Sequence, residues 1–166
     1  MAELIECFDP FDFKRDFFDR RSREPSLQEM KNAKYIVLAH FTSSVFLEEI
    51  KTQGTRPDTF KKRVIQDGLP SDTKYTYLSV KLDKYYINRA LENYGRAALI
   101  VVVKVELTSL EADENTIAPS RIKNFLPDEM LYESLCFGQC RHKGTIPPSE
   151  ILGIYTESGA KIWEPT

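Results

Sequence analysis

Apolar residues along this chain fall into short blocks separated by polar segments that contain glycine and proline. The longest apolar run covers residues 97–103, and residues 97–107 give the strongest strand prediction in the chain. Residues 35–40 form a shorter, almost continuous apolar run, which is typical of a buried strand. Residues 75–80 are rich in strand-forming side chains. Further strands are predicted at 133–137, at 150–155 and at 160–163, the last two as a hairpin turning at 157–159.

Short helices are predicted between these strands. A serine oxygen accepts the free amides of a first helical turn, and a glycine commonly ends a helix. These signals place helices after Pro25-Ser26, between Ser43 or Ser44 and Gly54, and over residues 83–94. Because strands outnumber helices and several strands are adjacent in sequence, the pattern predicts an α+β fold with a mixed or mostly antiparallel sheet.

The N-terminal residues 1–30 differ from the rest and are predicted to form an aromatic and charged arm, with the main domain at 31–166. The arm is expected to dock on the domain, and a lid or partner-binding segment is the alternative. Residues 55–74 contain a basic cluster and are predicted to form a long functional loop, because structureless loops of this length are uncommon. The arm carries Phe8, Phe11, Phe13, Phe17 and Phe18.

Composition narrows the class of protein. With 166 residues, the chain fits one domain with a real core. A net charge of −2 argues against a dedicated nucleic-acid or membrane binder with a strong basic field. The N-terminus lacks the pattern of a signal peptide, and no apolar run is long enough to span a bilayer. Three irregularly spaced cysteines then indicate reduced thiols, so a cytoplasmic protein without membrane contact is expected.

Histidines and cysteines are the first candidates for sites of chemistry. His40 stands where a predicted strand ends and a helix begins, which suits a ligand contact, although a histidine at the edge of the core is the alternative. The Thr42 hydroxyl can face the same side. Cys136 and Cys140 lack histidine partners at zinc-site spacing, so no metal site is predicted. His142 lies in a polar segment and is predicted to be on the surface.

Tyrosines and carboxylates provide further candidates. Tyr75 and Tyr77 alternate along a strand and should share one face, where a ring can stack on a flat ligand or pack in the core. Glu133 opens a predicted strand, where a carboxylate can stabilise a cation or bind sugar hydroxyls, and a solvated strand end is the alternative. Gln139 is a weaker polar candidate. Arg56 begins a basic run that can meet a pyrophosphate or simply face solvent.

Three segments together resemble the ADP-ribosyltransferase superfamily of the His-Tyr-Glu type, as in DarT-type DNA-modifying toxins and rifampin-modifying enzymes. LAHFTSSVFLEEIKTQG looks like the first motif, a strand ending in H-x-T followed by a helix and glycine. KYTYLSVKLDKYYINRALENYGRAALIVVVKVEL looks like the second, and YESLCFGQCRHKGTIPPSEILGIY looks like the third. Leu131 stands where the protein-arginine modifiers of the superfamily have a second polar residue, which argues against an arginine acceptor.

The resemblance implies a split sheet and an enzyme that cleaves the nicotinamide–ribose bond of NAD and transfers ADP-ribose to a nucleic acid or protein, in a toxin or in phage–host conflict. It implies that an antitoxin or another regulatory protein can be a partner. Glu133 would favour the oxocarbenium ion as the catalytic residue. NAD would be bound by His40, Thr42, Tyr77, Ser79, Arg56 and Tyr86, with Tyr85 competing for the role of Tyr86.

Alternatives remain open at this point. They are NAD-dependent removal of a 2′-phosphate from RNA, a non-enzymatic module of the same fold that binds a partner or a nucleotide, and a regulatory protein that acts through its aromatic arm. The enzyme hypothesis makes a geometric prediction: His40, Tyr77 and Glu133 should converge on one cleft at the ends of neighbouring strands. Any two of these side chains on opposite faces of the sheet would contradict it.

Overall fold

The computed structural model describes residues 4–9, 24–55, 57, 74–82, 84–113 and 126–166. This part of the chain forms eight strands and four α-helices, joined by turns and short 3-10 helices. The strands are β1 (Leu4–Glu6), β2 (Tyr35–Ser43), β3 (Tyr75–Ser79), β4 (Ala98–Glu106), β5 (Leu110–Glu111), β6 (Gln139–Lys143), β7 (Ile151–Thr156) and β8 (Lys161–Trp163). The helices are α1 (Leu27–Asn32), α2 (Leu47–Gln53), α3 (Lys84–Tyr94) and α4 (Pro127–Cys136).

All eight described strands belong to one sheet, and seven of them follow the order β5-β6-β3-β2-β4-β7-β8. Neighbours along this order are antiparallel, and β1 adds to β2 as a parallel strand. The predicted α+β class and its mostly antiparallel sheet are therefore confirmed.

The centre of the sheet is the β2–β4 pair, which is joined through nine residue pairs from Tyr35–Glu106 to Ser43–Ala98. Both strands are apolar on both faces, because each face carries a separate core cluster. Leu38 and Val101 belong to the larger cluster. Ala39 and Val102 belong to the smaller cluster. This explains why the two strands read as continuous apolar runs in the sequence.

Along its other edge, β2 pairs with two different strands, and backbone pairing then stops. β1 pairs with the first part of β2, where Ile5 lies opposite Ile36. β3 pairs with β2 only at Ala39–Ser79, whereas five residue pairs join β3 to β6. The sheet therefore splits between β2 and β3, on the side of Ala39 where the chain continues to His40.

The helix α2 begins and ends as its sequence predicts. Ser43 Oγ accepts a hydrogen bond from the Val45 amide at 3.3 Å, which caps a 3-10 turn that leads into the helix. Gly54 ends α2 with a φ of +83°. A Cβ at this position would lie 2.0 Å from the Ile146 carbonyl oxygen, so the close approach of two backbones requires glycine here.

The secondary structure around residue 133 differs from the sequence prediction. Residues 133–137 were expected to form a strand, but residues up to Cys136 belong to helix α4. Leu131, Ser134 and Leu135 are buried at helical spacing, and the strand β6 begins only after a turn at Gly138, whose φ is +95°. The prediction that His142 lies on the surface is also wrong, because it is a buried residue of β6.

Parts of two predicted segments fall within the described residues. From the predicted N-terminal arm, Leu4–Glu6 pair with β2, and Phe8 is buried against Phe41, with ring centroids 6.5 Å apart. The helix predicted after Ser26 is observed, with a capping box between Ser26 and Glu29. The other phenylalanines of the arm, Arg56 and most of the predicted 55–74 loop lie outside the described residues.

Candidate functional site

The opening between β2 and β3 is bridged by a side chain. His40 Nδ1 lies 2.9 Å from the backbone carbonyl oxygen of Tyr77. Because a carbonyl oxygen can only accept, Nδ1 must carry the proton, and Nε2 of the neutral ring then holds the lone pair. The His40 ring is half-buried. The bond fixes the orientation of the imidazole at the point where strand pairing ends.

The side chains of β3 alternate as predicted, with half-buried Tyr75 and Tyr77 on one face. Leu78, on the other face, belongs to the same core cluster as Leu38 of β2. His40 is two residues beyond Leu38 and shares its face. The His40 and Tyr77 side chains therefore start from opposite faces of the sheet, and the two residues meet through a ring and a backbone carbonyl.

A chain of buried polar residues lies beside the last β2–β3 pair. Ser79 Oγ donates to Gln139 Oε1 at 3.0 Å, and Ser134 Oγ donates to the Gln139 backbone carbonyl at 2.6 Å. The Asp113 amide donates to Ser134 Oγ at 2.9 Å. Burial of polar groups is costly unless they are hydrogen-bonded, so this arrangement is held firmly. We call Ser79, Gln139, Ser134 and Asp113 the polar chain; each is less than 5% exposed.

Gln139 supplies the side-chain amide of the polar chain and lies on the face of Ser79 and Tyr77, opposite to the face of His40. It is the first residue of β6 and lies directly opposite Ser79, which in turn pairs with Ala39. Its amide can donate and accept hydrogen bonds, which suits hydroxyl and carboxamide groups of a ligand. It carries no charge, so it can neither stabilise a cation as a carboxylate does nor take up a proton at neutral pH.

The predicted carboxylate, Glu133, is half-buried in helix α4 and is not on a strand. The expected convergence of the His40, Tyr77 and Glu133 side chains at the ends of neighbouring strands is therefore wrong. This counts against a transferase that would use these three side chains together in one cleft.

The remaining predicted ligand residues occupy different surroundings. Thr42 is buried on β2, opposite Leu99 of β4. Tyr85 and Tyr86 lie in the first turn of α3 and contact each other edge to face, with centroids 5.1 Å apart. The Tyr85 ring is also within 5.8 Å of the Arg89 guanidinium. The position of Arg56 lies outside the described residues.

Ser134 and Asp113 of the polar chain are not among the residues predicted from the sequence, and Gln139 is predicted only as a weaker polar candidate. The one available signal was Ser134, a small polar residue at helical spacing from Leu131 that is followed directly by Leu135. A serine at that position in a buried helical face implies a hydrogen-bond partner. Its partners come from Gln139 and Asp113, which the sequence alone does not place beside it.

Two broader features of the described residues bear on the class of protein. No three histidine, cysteine, aspartate or glutamate side chains come together there as a metal site would require. No helix in the same part of the chain has the length and apolar character needed to cross a membrane.

The chain matches no protein-family model, no curated protein and no solved structure.

Proposed function

We propose that this chain binds NAD in the split between β2 and β3. The observation that carries the proposal is the bond from His40 to the Tyr77 carbonyl, which holds an imidazole ring at the mouth of an opened sheet. An imidazole ring held in one orientation is a suitable hydrogen-bonding group for a ribose hydroxyl. Ligands bind preferentially where a sheet opens and polar groups converge on the gap.

The Ser79–Gln139 pair lies on the Tyr77 face of the sheet, opposite to the face that carries His40, and we assign to it a neutral, polar part of the ligand on that face. The Gln139 amide and the Ser79 hydroxyl can both donate and accept, which matches the hydroxyls and the carboxamide of NAD. Following the resemblance, Thr42 assists His40, and the Tyr77 ring stacks on nicotinamide together with Tyr86. The resemblance names the ligand, and the α+β fold with its mostly antiparallel sheet is compatible with it.

A calorimetric titration tests the binding proposal. Wild-type protein is titrated with NAD beside His40→Ala and beside Glu48→Gln, whose exposed carboxylate lies on α2. We expect NAD to bind the wild type and the Glu48 variant equally, and His40→Ala to weaken binding about tenfold, because a fixed hydrogen-bonding group is lost. Absence of NAD binding to folded wild-type protein would reject the proposal.

Transfer of ADP-ribose from the bound NAD is a second candidate function. In that reaction the bond from ribose C1′ to the nicotinamide nitrogen breaks, and its electron pair leaves with nicotinamide. A nucleophile of a nucleic acid or protein acceptor then bonds to C1′ and releases its proton. Transfer is favoured by the resemblance, which assigns the catalytic carboxylate to Glu133, a half-buried residue of α4. A fixed carboxylate near C1′ would stabilise the oxocarbenium ion.

Binding without turnover is favoured by the presence of Gln139, rather than a carboxylate, beside Ser79. Nicotinamide release, measured alone and with DNA, RNA or cell lysate, separates the two outcomes. Release that depends on Glu133 and disappears in Glu133→Gln would establish transfer, and the additive that accelerates it would indicate the acceptor. If NAD binds but no condition gives release, the protein is a binding module. Gln139→Glu then tests whether a carboxylate beside Ser79 is sufficient for turnover.

A further inference from the structure

Arg96 has a backbone conformation that arginine rarely adopts. It lies in the turn between α3 and β4 with a φ of +60°, and it is the one non-glycine residue with a positive φ in the described part of the chain. This conformation is costly for a residue with a Cβ, and such strained residues concentrate at ligand sites. We propose that the exposed Arg96 side chain binds the pyrophosphate of NAD at the open end of the split. The role rests on the proposed binding of NAD there.

Two serines hold the turn on both sides of Arg96. Ser43 Oγ donates to the Gly95 carbonyl at 2.6 Å. The Ala97 amide donates to Ser44 Oγ at 3.2 Å, and the Ser44 amide donates to the Ala97 carbonyl at 2.8 Å. These bonds tie the turn to the end of β2, so the backbone that carries the arginine has a fixed position.

The end of β2 that carries this turn is the end towards which the split opens. Pairing of β2 with β3 stops at Ala39–Ser79, and β2 then continues through His40 to Ser43. The three residues from His40 to Ser43 span about 10 Å of strand. A ribose held by His40, its adjoining pyrophosphate and an extended arginine side chain can together cover that distance.

The guanidinium of Arg96 has the chemistry that a pyrophosphate requires. A guanidinium donates parallel hydrogen bonds to phosphate oxygens, and such charge-assisted bonds are stronger than neutral ones. Among the described residues, no carboxylate forms an ion pair with this guanidinium, so its charge can serve a ligand. Arg56, the arginine that the sequence predicts near a pyrophosphate, lies outside the described residues, and Arg96 is a described cation for the same group.

Two ligands and matched variants test this role. Calorimetry measures the affinities of wild type, Arg96→Gly and Arg96→Lys for NAD and for inorganic pyrophosphate. We expect Arg96→Gly to weaken NAD binding about tenfold and to remove pyrophosphate binding, because a charge-assisted bond is lost. Arg96→Lys keeps the charge without the planar fork and should lose about threefold. The control Lys31→Gln removes an exposed positive charge from α1, which precedes the opposite end of β2, and should leave both affinities unchanged.

Thermal unfolding separates a lost ligand contact from a damaged fold. Glycine adopts a positive φ without strain, so Arg96→Gly should melt no lower than wild type while it binds NAD more weakly. If Arg96→Gly does not fold, Arg96→Gln replaces it, since glutamine removes the charge and keeps much of the side-chain length. Wild-type affinity of the folded variant for both ligands would overturn the proposal, as would an equal loss in Lys31→Gln.

Failure of the proposed function gives a different result from failure of this role. Wild-type protein that does not bind NAD rejects the proposed function. The pyrophosphate titration then decides on Arg96 separately: binding that is lost in Arg96→Gly supports an anion contact at this turn, and no binding to wild type overturns it.

Discussion

The His40 imidazole is hydrogen-bonded to the backbone carbonyl of Tyr77, 37 residues further along the chain, at the place where β2 and β3 stop pairing. In a continuous sheet that carbonyl would face a strand amide of β2. Here a side chain takes the place of the amide. The bond therefore links β2 and β3 just beyond their last backbone pair.

This bond predicts the tautomer of His40. We expect the neutral ring to carry its proton on Nδ1, because the Tyr77 carbonyl can only accept. Nitrogen-15 NMR of the imidazole rings at neutral pH measures this directly, and a His142→Gln variant assigns the two signals. A neutral His40 ring protonated on Nε2 would show that the bond to Tyr77 is absent in solution.

Two glycines with positive φ should respond very differently to alanine. Gly54 and Gly95 have φ values of +83° and +74°. A Cβ on Gly95 meets nothing within 4 Å, so Gly95→Ala should cost only backbone strain, about 1 kcal/mol. A Cβ on Gly54 would overlap the Ile146 carbonyl, so Gly54→Ala should cost about 3 kcal/mol or more. Urea unfolding measures both losses, and equal values would contradict the close approach of α2 to Ile146.

The three cysteine thiols should differ in their rate of modification, because they differ in solvent exposure. Cys136 is exposed at the end of α4, whereas Cys7 and Cys140 are buried. A disulfide reagent should therefore modify one thiol rapidly in the folded protein and all three in urea. Cys136→Ser should remove the rapid reaction. Rapid labelling of Cys7 or Cys140 in the native state would mean that β1 or β6 opens readily.

Burial of Cys140 also predicts a loss of stability at alkaline pH. Burial, followed by the nearby Cys7 and Asp113, raises the pKa of the Cys140 thiol well above its ordinary value of 9.0. The unfolded chain releases this proton first, so the contribution of Cys140 is complete below the unfolded pKa and declines as pH rises above it. The decline approaches about 1.4 kcal/mol per pH unit.

The measurement is the free energy of unfolding between about pH 8 and about pH 10, for wild type and for Cys140→Ala. Other alkaline titrations are common to both proteins, so their difference isolates the thiol. We expect the wild type to lose stability more steeply with rising pH than the variant. Parallel curves would show that the Cys140 thiol ionises in the folded protein as it does in the unfolded chain.

Local signals in the sequence were sufficient for much of the fold. The strand at 35–40, the long strand within 97–107, the helix over 83–94 and the C-terminal hairpin are all observed. The end of α2 at Gly54 is also observed, because glycine is the residue that adopts the required backbone conformation. In each case the decisive interaction lies within a few residues of the signal.

The residues around the candidate site are joined by contacts between distant parts of the sequence, which local patterns do not predict. Ser79 meets Gln139 from 60 positions away, and the pairing of β3 with β6 brings them together. The short apolar segment at 133–137 was assigned to a strand because such runs fit either a strand or a buried helix. The segment is helical up to Cys136, so Glu133 does not stand at a strand end, and β6 begins only at Gln139.

The β2–β4 ladder has a consequence for how the chain folds. Its two strands are the centre of the sheet, yet every paired residue lies more than 50 positions from its partner. The chain must therefore close a long loop before its main apolar strands can meet, and topologies of this kind fold slowly compared with helical bundles. A fragment that stops before residue 98 leaves Tyr35–Ser43 without its main partner. We expect such a fragment to remain unfolded or to aggregate through that exposed apolar strand.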